Sequence, residues 1–143
     1  MCKLIAENEV SLHRFYEVEK VARILIVDDD SEIREMLRQF LEKQKHEVRV
    51  ASDGKEALRL QSEHPAELMI TDIVMPEKEG LETIMECRRL SPGIKIIAIS
   101  GGGKIGAKDY LSVARAFGAQ KTLLKPFGLK ELSDALQELL GTA

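Results

Sequence analysis

From Arg23 to Leu140 this chain alternates short β-branched runs with longer stretches of helical period, and no other feature narrows its possible folds as much. Strands buried on both faces read as near-continuous apolar runs, and a parallel neighbour is reached only through a crossover helix. The predicted strands are Arg23–Asp28, Glu47–Ala51, Glu67–Asp72, Ile94–Ile99 and Lys121–Leu124. The expected class is therefore α/β, a five-stranded parallel sheet doubly wound with helices.

The intervening stretches support this. Ile33, Met36, Leu37, Phe40 and Leu41 fall at i, i+3, i+4, i+7 and i+8, one apolar stripe on a first helix. Asp53 and Glu56 form a capping pair ahead of Ala57, Leu58 and Leu60, in a helix that stops near Pro65. A third helix is expected over Glu79–Leu90 through Leu81, Ile84 and Met85, ended by Pro92-Gly93. A fourth spans Lys104–Phe117 with Ile105, Leu111, Ala114 and Phe117, and Gly118 is placed to cap it. The last, Leu129–Leu140, aligns Leu129, Leu132, Leu136, Leu139 and Leu140. Met36, Met69, Met75 and Met85 are expected in the core, with Cys87 a semi-buried hydrophobe.

Residues 1–22 stand outside the alternation. Leu12, Phe15, Tyr16 and Val18 suit a short amphipathic helix, which is marginal unless docked. Residues 1–22 are read as an extension of uncertain order and residues 23–143 as one domain. Only Gly141, Thr142 and Ala143 follow the last helix, so no fused output domain is expected.

Composition removes several classes of function. With 21 Lys+Arg against 24 Asp+Glu and a formal net charge of -3, the chain lacks the basic excess of a nucleic-acid or anionic-membrane binder. Its longest apolar runs, Ile24–Val27 and Ile96–Ile99, fall far short of the roughly 20 residues that span a bilayer. The opening residues turn acidic before any apolar stretch suited to a signal peptide, and Cys2 and Cys87 make no disulfide framework or zinc site. The expected location is cytoplasmic. His13, His46 and His64 have no metal-ligand spacing.

In open parallel sheets ligands sit beyond the carboxyl ends of the strands. Those ends carry Asp28-Asp29-Asp30, Asp72, Ser100 and Lys125-Pro126. Helix capping by Asp30 or Ser31 would account for one acid of the run. It does not account for Asp72 arriving beside it, because clustered carboxylates repel unless a cation neutralises them. Mg²⁺ suits oxygen ligands and phosphate chemistry. Lys125 adds a positive charge and Ser100 a hydroxyl donor, together a site for handling phosphoryl groups. No His or Cys lies at a strand end, so a metal-held carboxylate, with Asp72 favoured, is the expected phosphoryl acceptor.

Four segments, Ile24-Leu25-Ile26-Val27-Asp28-Asp29-Asp30, Ile70-Thr71-Asp72-Ile73-Val74-Met75-Pro76 with Gly80, Ile99-Ser100-Gly101, and Lys125-Pro126-Phe127, resemble the receiver domain of bacterial two-component response regulators. The likeness covers about residues 22–140 and is closest in kind to the stand-alone chemotaxis regulator. It implies a flavodoxin-like strand order 2-1-3-4-5 and Asp72 as phosphoacceptor. It further implies Mg²⁺ held by Asp28, Asp29, Asp72 and the backbone carbonyl of Val74. Lys125 would pair with the acceptor, Ser100 would close onto a phosphoryl oxygen, and Pro126 would follow a cis bond. The implied partners are a sensor histidine kinase or phosphotransfer protein as donor, and a downstream protein on the face of the fourth helix, fifth strand and last helix. The product would be a phosphorylation-controlled switch rather than a turnover enzyme.

Two positions depart from the family. Thr122 stands where an aromatic usually reports the state of the hydroxyl switch, and Gly101, Gly102 and Gly103 follow Ser100 where bulkier residues are usual. Three glycines are costly to order, so mobility of that loop without phosphate is expected. Among alternatives, Gly101, Gly103 and Gly106 spell G-x-G-x-x-G, but no acid follows at the fifth strand end as a dinucleotide site needs. A haloacid-dehalogenase-type phosphatase would also use an aspartyl phosphate, yet Glu32 breaks its motif and Asp72 is left without a role. A degenerate receiver acting only as a docking module is the remaining alternative, although every acid, hydroxyl and lysine of the site is present.

Overall fold

The computed structural model describes residues 21–73, 79–101 and 107–141 of the chain. Elements follow in the order β1 (Arg23–Val27), α1 (Ser31–Lys43), β2 (Glu47–Ala51), α2 (Gly54–Glu63), β3 (Leu68–Asp72), α3 (Glu79–Leu90), β4 (Lys95–Ser100), α4 (Ala107–Phe117), β5 (Lys121–Leu124) and α5 (Leu129–Leu140). All strands pair in parallel in the order β2-β1-β3-β4-β5. Boundaries shift from expectation by single residues. Asp28 leaves the β1 ladder while its N–H still donates to the Ala51 carbonyl (3.2 Å), and Glu67 and Ile94 precede their strands. Ser100 is the last residue of β4.

Strand alternation splits the sheet into two apolar layers. Leu25, Val27, Met69, Ile96 and Ala98 face Ala57 of α2, Ile84 and Cys87 of α3, and Ala114 of α4. Ile24, Ile26, Leu68, Ile70, Ile97 and Ile99 face Leu37 and Leu41 of α1 and Leu132 and Leu136 of α5. Burying each Ile, Leu, Val or Met among them contributes about 1.5–3 kcal/mol before entropy is counted.

Local chemistry sets the helix ends. Asp30 caps α1, its Oδ1 accepting the Glu32 N–H (2.9 Å). Asp53 caps α2 through the Glu56 N–H (2.8 Å), and the Glu56 carboxylate reaches back to Ser52 rather than to the cap residue. Gly118, at φ 120°, closes α4 as its N–H and that of Ala119 bond back to Arg115 and Ala114. Lys104, Ile105 and Gly106, expected to open that helix, lie outside the described residues.

The stripes are narrower than their spacing suggested. Met36 and Met85 are 45% and 42% exposed, a correction to their expected core placement, whereas Met69 is fully buried. A stripe at i, i+3, i+4 is wider than the sheet beneath it, so its edge positions meet solvent. Leu129 and Phe117 are likewise exposed edge positions. Cys87 is completely buried, and burial pushes its thiol up to about 12, which keeps it protonated.

Candidate functional site

Register assembles the site as a staircase. Val27 pairs with Thr71, so Asp28 and Asp72 follow side by side; Asp72 lies opposite Ile99, placing Ser100 one step on; Ser100 lies opposite Leu124, placing Lys125 one step further. Polar groups from β1, β3, β4 and β5 thus meet on one rim. Carboxylate oxygens of Asp28, Asp29 and Asp72 lie within 4.8 Å of one another. Asp28 and Asp72 are buried and Asp29 is exposed.

Lys125 stands over the two buried acids, its Nζ 3.0 Å from Asp72 Oδ2 and 3.2 Å from Asp28 Oδ2. Burial raises the Asp28 carboxyl above its ordinary value; the Asp30 N–H, bonded to Oδ1 at 2.9 Å, works against this, the Asp72 charge adds to it, and Lys125 opposes it. Burial alone would lower the Lys125 ammonium, but Asp72 and then Asp28 outweigh it and hold the group above its usual value. Lys125 therefore remains charged and cannot serve as a base at neutral pH.

Among the described residues, three carboxylates face one ammonium, an excess of negative charge among hard oxygen donors, and this donor set fits Mg²⁺. Asp28, Asp29 and Asp72 are the residues able to hold it. The expected Val74 carbonyl lies outside the described residues, as do Gly102, Gly103, Met75 and Pro76. The Ser100 hydroxyl is buried and, among the described residues, has no hydrogen-bond partner, so its donor is available to a phosphoryl oxygen.

Gly101 is required by close approach: a Cβ there would stand 2.1 Å from the Lys125 Cβ. The Lys125–Pro126 peptide is cis. Thr122 is half-buried on β5 opposite Ala98, away from the acids. One contributor escaped sequence reasoning, and another was named only through the family resemblance. Arg34 of α1 donates through Nη1 to the Asp28 carbonyl (2.6 Å), and Gly80 lets α3 pass so close that a Cβ would stand 2.6 Å from the Asp72 carbonyl oxygen. The only signal for Arg34 was its place six residues after Asp28, beside the apolar stripe. An apolar hollow of about 350 Å³, lined by Ile33, Met36, Gly101, Lys125, Pro126 and Phe127, adjoins the site.

A doubly wound parallel sheet with three acids, a hydroxyl and a lysine at one rim defines a class of acid-pocket signalling domains. The family model for the response regulator receiver domain matches residues 24–137, and the chain belongs to that family. It is 33% identical over 118 residues to the response regulator receiver protein CpdR of Brucella abortus, covering 82% of this chain and 96% of that one. It is 34% identical over 123 residues to the DNA-binding transcriptional regulator NtrC of Azospirillum brasilense, covering 85% of this chain but only 24% of NtrC. Among solved structures, a CheY-like receiver domain protein from Methanospirillum hungatei superposes with a TM-score of 0.73 at 31% identity, over 85% of this chain and 94% of that one. The receiver domain of Saccharomyces cerevisiae Ssk1, solved with the histidine phosphotransfer protein Ypd1, shares the fold at a TM-score of 0.70 and 24% identity, over 83% of this chain and 88% of that one.

Receiver domains are signalling switches of two-component systems; they bind Mg²⁺ through an acidic pocket and interact with histidine kinases or phosphotransfer proteins. Family membership sets aside the phosphatase and dinucleotide readings. Among the described residues, no helix is long and apolar enough to cross a membrane.

Proposed function

We propose that this chain is a phosphoacceptor switch in which Asp72 takes a phosphoryl group from a histidine kinase or phosphotransfer protein and thereby changes partner binding. The Lys125 ammonium lying between Asp28 and Asp72 is the observation that carries this reading. An Asp72 carboxylate oxygen attacks phosphorus; the P–N bond of the donor phosphohistidine breaks, and its electron pair stays on the imidazole, which takes up a proton. Lys125 steadies the carboxylate before transfer and the phosphoryl oxygens after it. The Ser100 hydroxyl, buried and without a partner among the described residues, would gain an acceptor in the phosphoryl group. Asp28, Asp29 and Asp72 would hold Mg²⁺, with the Val74 carbonyl that the family resemblance implies, and the ion would supply neutralising charge. The apolar hollow beside Lys125, which itself contacts Asp72, would seat the donor.

Modification then shifts the face formed by α4, β5 and α5, where Val113, Phe117 and Leu124 are 40%, 38% and 40% exposed, and a downstream protein reads it there. The chain modifies itself and does not turn over a substrate. Intact-mass measurement after treatment with phosphoramidate and Mg²⁺ tests the reading. Wild type should gain one phosphoryl group and Asp72→Asn none; an unmodified wild type, or equal gain by both, overturns it.

A further inference from the structure

Asp28 stands where the chain leaves β1 for α1, beyond the last ladder pair of its strand. Each of its polar groups nevertheless has a partner. Its N–H donates to the Ala51 carbonyl, its Oδ1 accepts the Asp30 N–H, and its Oδ2 accepts from Lys125. Its carbonyl accepts from the half-buried Arg34 guanidinium at 2.6 Å. Arg34 sits one turn into α1, so the helix reaches back to hold the turn from which it starts.

We propose that Arg34 is a positioning residue: by clamping the Asp28 carbonyl it fixes the β1–α1 turn so that Asp28 and Asp29 face the cation together. The inference rests on the acidic pocket being the Mg²⁺ site of the proposed switch. Charge makes it testable by sign. A guanidinium beside a dication site repels the dication, so removing it should tighten Mg²⁺ binding if Arg34 acted only through space. A clamp predicts the opposite, because a turn freed to sample other conformations presents its carboxylates together less often.

Isothermal titration calorimetry of Mg²⁺ into the full chain, alone and without phosphodonor, separates the two. Arg34→Met should weaken binding by about tenfold, the scale seen when an outer-shell partner of a metal ligand is lost. Arg34→Lys, which keeps a donor able to reach the carbonyl, should recover most of that loss. Arg34→Gln, neutral and too short to reach, should weaken binding in the same direction and serves as the second variant should Arg34→Met not fold. Binding by the neutral variants as tight as wild type, or tighter, overturns the clamp. Wild type that binds Mg²⁺ yet stays unmodified by phosphoramidate overturns the switch and leaves the clamp standing. Wild type that binds no Mg²⁺ overturns both.

Discussion

At the residue scale the site trades stability for chemistry. Asp28 is 1% exposed and its carboxyl is raised above the ordinary 3.8, burial being the main cause. The folded chain binds that proton at a higher pH than the unfolded chain does. The Asp28 contribution therefore opposes folding at neutral pH and is relieved as pH falls through the raised value. Lys125 has the other sign: its contribution is fully present below the ordinary 10.5 and is lost as pH rises through the raised value. Because Lys125 also contacts Asp72, Asp28→Asn removes surplus acid and leaves an ammonium–carboxylate pair intact. Without Mg²⁺, the variant should be about 1 kcal/mol more stable at neutral pH, raising Tm by about 2–4 °C. Its advantage should shrink toward acid pH, as thermal melts across pH would show. A variant less stable than wild type at neutral pH would contradict this.

Helix ends are where element-scale choices are visible. α1 finishes like α4, with paired return bonds: the Lys45 N–H donates to the Glu42 carbonyl and the His46 N–H to that of Leu41. In α4 the left-handed position is Gly118, but in α1 it is Lys45, at φ 74°. A non-glycine residue there is strained by about 1–2 kcal/mol, partly offset because glycine loses more freedom on folding. Lys45→Gly should therefore stabilise the chain by about 0.5–1 kcal/mol in urea unfolding, with the slope unchanged. An unchanged or lower midpoint would count against the cap geometry. His46 also has a structural task, since its Nδ1 accepts the Ala22 N–H at 3.0 Å just before β1. Nothing in its spacing along the chain announced this contact, which joins residues 24 positions apart.

Across the whole molecule, the proposed switch asks one sheet to serve both a site and a readout face. Lys125 follows β5 at the rim, and Thr122 lies three residues earlier opposite Ala98, in the layer that Ala114 of α4 helps cover, where the resemblance implies an aromatic side chain. In that switch a threonine would sweep less volume and couple rim to face more weakly. Thr122→Tyr should enlarge the change in amide hydrogen exchange that phosphorylation causes across Val113–Leu124. A change no larger than wild type's would remove the readout argument. The strands, their number and most helix limits were legible from alternation and capping residues, because burial on both faces of a parallel sheet leaves nearly continuous Ile, Leu and Val. Asp28, Asp29, Asp72, Ser100 and Lys125 were legible as strand-end polar residues for the same reason. The exposure of Met36 and Met85 was not, since periodicity gives the direction of a stripe but not the width of the surface beneath it.

The sequence by itself determined the βα alternation, the identity of the rim residues and the family resemblance, all of which are local patterns or ordered motifs. Tertiary structure decided what those residues do to one another. Lys125 meets Asp28 across 97 residues and Asp72 across 53, and such contacts follow from strand order and register, which no local pattern encodes. The same holds for the Arg34 clamp, the burial of the Ser100 hydroxyl, and the close approach that makes Gly101 and Gly80 necessary. Each is set by where one backbone passes another, to within a few tenths of an ångström, and packing alone fixes that distance.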